Sequence, residues 1–416
     1  MKGYERLIAI CVSTVLVMAG QGVVSPILPL YADSFGVSTA MVGATVTAFG
    51  LARLFTNVPA GIFADRRGRR SLLIGGPLVI AVGMFGSGLS TGIWVLLAFR
   101  FIAGLGSGLY MTGAQIYLLD IAAPEQRGRF IATNQGALLV GVGFGPALGG
   151  LLADAYSLST PFYVVAVAAL ITSLYGYVRL PETLTPKILA DGDDAEKPPE
   201  DLEGSVPVAA PVSRFALLRS SDFLAVGFVT IGVFSIRAGV RQTLVPLQLT
   251  EVFGVEVAEL GVLFTALGLI GLVLIWPAGW AADRFGPKVL IVPTSLLISV
   301  GIGIVAIANS LPVFIVGLTI SAIGSSITGP APAAYVANLV EADQRGAAMG
   351  LYRTFGDIGV VASPVLSGLL ADAVSIPFAI GVNAVFMGVA ALWFLFTAAP
   401  GNPTRSSSVV SVTSGS

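Results

Sequence analysis

Twelve stretches of this chain are apolar over lengths that span a bilayer as helix, which takes about 20 residues for roughly 30 Å of hydrocarbon. They lie near 7–31, 39–63, 71–90, 92–119, 130–154, 160–180, 222–248, 258–282, 288–308, 311–338, 347–371 and 375–398. In lipid each backbone amide must be satisfied within its own segment or in a closed barrel. A barrel requires alternating segments of about ten residues, and runs such as Leu72–Ile80 do not alternate. The expectation is an all-α membrane protein with twelve transmembrane helices. The first run follows Lys2 and Arg6 but continues too far, with no small-residue cleavage site, to be a secretion signal.

Only 11% of residues are charged and 55% are hydrophobic, whereas soluble domains carry about 25% charged residues. A soluble enzyme, a nucleic-acid binder and a disordered chain are thereby excluded. Histidine is absent and Cys11 is the single cysteine. That removes a His/Cys metal site, an internal disulfide and a histidine proton relay. No G-x-x-x-x-G-K-[ST] phosphate loop occurs, so neither a metal nor a cofactor is expected.

Basic residues fix the expected orientation. Lys2, Arg6, the Arg66–Arg70 cluster, Arg127, Arg129, Arg179, Arg284, Lys288, Arg345 and Arg405 fall on one side of this map, and the opposite loops near 32–38, 155–159 and 249–257 hold none. Positive loops stay cytoplasmic, so both termini are expected there.

The chain also repeats itself at an offset of 218 residues. Phe35-Gly36-Val37 falls on Phe253-Gly254-Val255, and Ala64-Asp65-Arg66 on Ala282-Asp283-Arg284. Gln126-Arg127-Gly128 meets Gln344-Arg345-Gly346, and Leu151-Leu152-Ala153-Asp154 meets Leu369-Leu370-Ala371-Asp372. Two six-helix bundles of the same topology follow, related by a pseudo-two-fold axis along the membrane normal, with a substrate site where they meet. The expected units are a bundle over 1–180, a cytoplasmic linker over 181–221, a second bundle over 222–398 and a disordered cytoplasmic tail over 399–416. The linker carries DGDDAEKPPEDLEG, a solvated composition.

The segment GIFADRRGRRSLL, Gly61 to Leu73, reads as a loop between spans 2 and 3, and GWAADRFGPK repeats it from Gly279. It resembles the signature of the major facilitator superfamily. Three more stretches resemble the twelve-helix drug/proton antiporter branch: GQGVVSPILP from Gly20, LLAFRFIAGLGSG from Leu96 and GVGFGPALGG from Gly141. The resemblance implies the two-bundle fold, alternating access, and a monomer in the plasma membrane exchanging a small molecule for protons. Its gating residues would be Gly61, Asp65, Arg66, Gly68, Arg69, Asp283 and Arg284, and it places Arg100 in proton transfer, with structural bracing as the alternative; Asp120, at the end of span 4, can complete a charge network with Asp65 and Arg69. On physical grounds, Gly141, Gly145 and Gly149 form a smooth stripe that permits close helix approach, and Pro146 bends that helix. This stripe is expected to seal one bundle against the other.

Charges inside spans cost about 2.5–3.5 kcal/mol each on insertion scales, so each needs a partner or a watery cavity. Arg53, Arg100, Arg237, Arg241 and Arg353 lie within spans, and Asp357 is the one carboxylate deep inside them. Arg353 sits four residues before Asp357 on the same helix face. Two readings stand: a permanent ion pair, or a switch in which Asp357 exchanges between Arg353 and Arg53 and carries a proton. Gln21, Tyr110, Gln115, Gln135, Arg237, Arg241, Gln242 and Asn338 are candidates to line the substrate cavity. The function expected is proton-coupled export of a small amphipathic compound; the alternative is a uniporter or proton symporter for a sugar or organic anion.

Overall fold

The computed structural model describes residues 2–123, 126–183, 218, 220–329, 331–340 and 345–397. Most of the expected linker and the whole expected tail lie outside these residues. The described residues contain twelve helices long and apolar enough to cross a membrane. Span 1 is Lys2–Val24, resumed as Ile27–Asp33, because the Ser25–Pro26 step interrupts it where proline has no amide to donate. Spans 2 to 6 are Thr39–Arg67, Arg69–Gly88, Ile93–Ile121, Arg127–Ala155 and Thr160–Arg179. Span 7 runs Ser221–Glu251. Spans 8 to 12 are Val257–Phe285, Pro287–Ile307, Leu311–Leu339, Arg345–Ala373 and Ile376–Thr397.

Apolar side chains converge in two cores. Ile10, Leu96, Tyr110 and Phe162 anchor the first, and Phe223, Ile298, Phe314 and Phe394 the second. The internal duplication recurs as backbone geometry. Gly36 and Gly254 take φ values of 66° and 63°, and Gly68 and Gly286 take 89° and 82°. These are left-handed conformations that a side chain resists, and each pair is separated by the same 218-residue offset.

The structure corrects two expectations. The segment from Gly61 to Leu73 is not an extended loop: helix continues through Arg67 and restarts at Arg69, leaving Gly68 as the joint. Its positive φ turns the chain in one residue, and the Glu182 carboxylate, just beyond span 6, caps the restarted helix through the amides of Arg69 (3.0 Å) and Arg70 (3.1 Å).

The second correction concerns the glycine stripe. Gly141, Gly145 and Gly149 face span 1 of their own bundle, where an added Cβ would press on Val15, Val23 and Ala19 backbone atoms. The neighbouring face, Gly143, Pro146, Ala147 and Gly150, is the one that meets the other bundle. A four-residue spacing drifts only slowly around a helix, so one stripe serves one neighbour and the residues between serve the next.

Candidate functional site

Two seams join the bundles. At the first, span 2 lies against span 11. A Cβ on Gly43 would collide with the Pro364 carbonyl, and one on Gly50 would come within 3.1 Å of Val360. Thr47 donates to the Val361 carbonyl at 2.7 Å. At the far end, both Asp372 carboxylate oxygens accept amides from the first turn of span 2, Thr39 at 2.7 Å and Ala40 at 2.9 Å. At the second seam, Gly261 meets the Pro146 carbonyl, Thr265 accepts the Ala147 amide at 2.8 Å, and Gly268 approaches Gly143. All these contacts lie in the halves of the helices away from the chain termini.

Toward the termini the helices of both bundles carry exposed polar side chains. Gln115, Arg129, Thr133, Gln135, Asn338, Arg353 and Thr354 are all exposed. The bundles are therefore closed at the end remote from the termini and parted at the end that bears them.

Asp372 has a measurable duty in this arrangement. It is exposed, yet it supplies two acceptors at a helix N-terminus, where a capping side chain is worth about 0.5–2 kcal/mol. Asp372→Ala is expected to loosen the closed end about fivefold, given about 1 kcal/mol for the cap. Labelling of a cysteine placed at Thr39 in a Cys11→Ser background would read this as faster modification.

The intramembrane charges gather directly beneath the first seam. Arg53 is three residues beyond Gly50, and Asp357 three residues before Val360; three residues of helix rise about 4.5 Å. Arg53 interacts electrostatically with Asp357 and with Arg237 of span 7. Asp357 in turn feels Arg53 and Arg353, and Arg241 feels Arg237. Spans 2, 7 and 11 thus link four arginines and one aspartate as a chain of electrostatic neighbours, Arg53 and Arg353 acting on Asp357, with Arg237 and Arg241 next beyond Arg53, at the roof of the opening.

Among the described residues Asp357 makes no ion pair within 4.0 Å. The permanent-pair reading therefore fails for this conformation. Arg353 and Arg237 are exposed, whereas Arg53, Arg241, Gln242 and Asp357 are half-buried, as expected for groups facing water between two bundles. Among the described residues neither Arg237 nor Arg241 forms an ion pair within 4.0 Å with an acid such as Asp33 at the outer end of the helices.

Span 7 carries a feature the sequence does not announce. From Ile236 to Leu244 it winds as a π-helix, framed by α-helix on both sides. The Thr243 hydroxyl follows this wider turn, donating to the Ala238 carbonyl five residues back at 2.9 Å. Such insertions re-aim side chains and gather at functional sites. Here the π segment contains Arg237, Arg241 and Gln242.

Other expected residues stand elsewhere. Tyr110 is fully buried inside the first bundle and does not line the opening. Its hydroxyl pairs with Thr14 at 2.9 Å, and Thr14 donates to Asn134 at 2.8 Å, tying spans 1, 4 and 5. Tyr110→Phe is expected to lower unfolding stability by about 1 kcal/mol and to leave transport rates unchanged, as thermal unfolding and flux assays would show. Gln21 is half-buried beside a void of about 10 Å³ between Val17, Phe49 and Met84, room for about one water.

Arg100 is also separate from the cluster. It is buried, with its guanidinium 4.7 Å from the Phe49 ring centroid and 4.0 Å from the Met84 sulfur. That environment braces spans 2, 3 and 4.

At the termini side, Arg69 lies 3.4 Å from Asp65 and 3.0 Å from Asp120, and the Thr183 hydroxyl also donates to Asp120 at 2.8 Å. These charges lie within the first bundle and at the start of the linker. Gly61 has open space around it, Arg66 is exposed, and Arg284 rests on the Trp280 ring at 5.3 Å. The Asp283 side chain lies outside the described residues.

The fold is similar to a bacterial homologue of the human lysosomal transporter Spinster in its inward-facing, occupied conformation. The TM-score is 0.77 at 15% identity, covering 94% of this chain and 96% of that one. In sequence, the chain is 24% identical over 382 residues to an uncharacterised MFS-type transporter of Methanocaldococcus jannaschii, covering 92% of this chain and 95% of the relative. It is 24% identical over 374 residues to multidrug resistance protein 1 of Bacillus subtilis, covering 89% and 91%. The profile of the Major Facilitator Superfamily matches residues 10–241 and 238–413. Two repeated six-helix bundles, a charge cluster where they meet and a family match along nearly the whole chain agree: this protein is a transporter, not an enzyme, and belongs to the Major Facilitator Superfamily.

Proposed function

We propose that the protein exports a small amphipathic compound in exchange for protons. The observation that carries this reading is Asp357: an intramembrane carboxylate that forms no ion pair among the described residues, at the roof of an opening and within electrostatic reach of Arg53 on the opposite bundle and Arg353 on its own. A carboxylate so placed can take a proton from one side and lose it to the other as its arginine neighbours change. The relatives named for multidrug resistance support export.

On this reading the termini are cytoplasmic, the membrane is the plasma membrane, the chain works as a monomer, and the described conformation is open inward. The charge surplus also bears on the cargo. The cluster holds four arginines and one aspartate, and such a field disfavours cations and tolerates anionic or neutral amphipaths. That same surplus supports a second reading, a symporter or uniporter for an organic anion.

Everted vesicles separate the two. Accumulation of a fluorescent anionic amphipath, driven by an acidic lumen and collapsed by a protonophore, supports export. Equilibration that ignores the gradient identifies a uniporter. Accumulation driven only by the opposite gradient identifies a symporter.

A further inference from the structure

A groove of about 500 Å³ opens between the first turns of span 1 and the last turn of span 6, lined by Glu5, Arg6, Ile8, Tyr175, Arg179 and Pro181. It lies at the termini-side ends of both helices, away from the charge cluster of spans 2, 7 and 11. The surfaces running from it toward the membrane centre are apolar and uncovered. Ile8 is 62% exposed, Leu174 65% and Val178 71%. Tyr4 and Tyr177 are exposed beside it, at the level where amphipathic rings mark the edge of a bilayer.

Two cations therefore sit where hydrocarbon gives way to water. Among the described residues neither Arg6 nor Arg179 forms an ion pair within 4.0 Å. Glu5 is the one acid lining the groove, so its residues sum to a single positive charge. A soluble anion would satisfy the arginines but leave the apolar walls wet. A phospholipid satisfies both, with its phosphodiester at the arginines and its acyl chains along spans 1 and 6. Basic pockets between transmembrane helices at this depth suit anionic headgroups.

We propose that this groove is a binding site for a phospholipid of one net negative charge, of the phosphatidylglycerol type, in the leaflet on the termini side.

Native mass spectrometry of the full-length protein, with phosphatidylglycerol, phosphatidylethanolamine or inorganic phosphate added, tests it. One phosphatidylglycerol should be retained per chain, in preference to phosphatidylethanolamine. The Arg6→Gln/Arg179→Gln variant should retain it about 25-fold less, taking about fivefold for each basic residue at a membrane surface. Wild-type retention by that variant overturns the proposal. So does equal retention of phosphatidylethanolamine, or displacement of the lipid by inorganic phosphate, which would mark a site for soluble anions. Should the double variant fail to fold, Glu5→Gln decides: removing the acid must increase phosphatidylglycerol retention, and no increase overturns the proposal.

Discussion

Asp357→Asn is expected to abolish the response of export to a pH gradient while substrate binding persists. The substitution keeps shape and hydrogen-bonding capacity but removes the proton site and the charge. Among the described residues Asp357 lies more than 4.0 Å from every arginine, so each attraction is below about 4 kcal/mol, the value for a 4 Å pair at an effective dielectric of 20. Two such neighbours, one on each bundle, are taken together at about 2 kcal/mol, half the value for a single 4 Å pair. A change of that size shifts a two-state equilibrium about 30-fold. Gradient-driven transport should therefore fall by at least about tenfold, and its residue should show no pH slope. Asp357→Glu should restore part of both. Flux in everted vesicles over a series of lumenal pH values measures this. An unchanged slope in the Asn variant would remove Asp357 from proton coupling and shift the proposal toward a gradient-independent carrier.

The architecture was legible in the sequence because a bilayer imposes a coarse rule, twenty apolar residues per crossing, that survives ignorance of every side-chain rotamer. The repeat was equally legible. Gly36 with Gly254 and Gly68 with Gly286 are pairs of letters at one offset, and they became pairs of left-handed turns because only glycine adopts that backbone freely.

Facing was harder. Gly141, Gly145 and Gly149 announce a smooth helix surface but not which neighbour covers it; span 1 does, while the residues between them meet span 8. Tyr110 and Arg100 were recognisable as polar groups needing partners, yet a sequence cannot say whether the partner is substrate or a neighbouring helix. The π turn of span 7 left no signal, since Ile236–Leu244 contains neither proline nor glycine pairs that would flag a break. Asp372 was visible as half of a repeated Leu-Leu-Ala-Asp, but among the described residues its twin Asp154, likewise exposed, makes no equivalent cap. The two halves share letters and have diverged in use.

Gly43→Leu should trap the transporter with its remote end open. In the described conformation a side chain at position 43 would occupy the space of the Pro364 carbonyl, and the next approaches along the same face, Gly50 at Val360 and Gly368 at Ala40, leave no slack for span 2 to slide. Backbone cannot yield as a flexible side chain can, so the cost falls at the upper end of the 1–3 kcal/mol typical of overpacking, about 3 kcal/mol. That cost applies only where spans 2 and 11 touch. The opposite conformation, in which this seam opens, gives the leucine free space, so the substitution changes the balance between states instead of unfolding the bundle. A shift of about 3 kcal/mol is about 150-fold in population. Transport should nearly vanish while thermal stability in detergent changes little. Distances between spin labels placed at the remote ends of spans 2 and 11, on a Cys11→Ser background, should lengthen. Gly261→Leu, which meets Pro146 at the other seam, should give the same phenotype through an independent contact. If both variants transport normally with unchanged distances, these seams are not the barrier that closes the remote end, and the alternating-access geometry assigned to spans 2, 5, 8 and 11 is wrong.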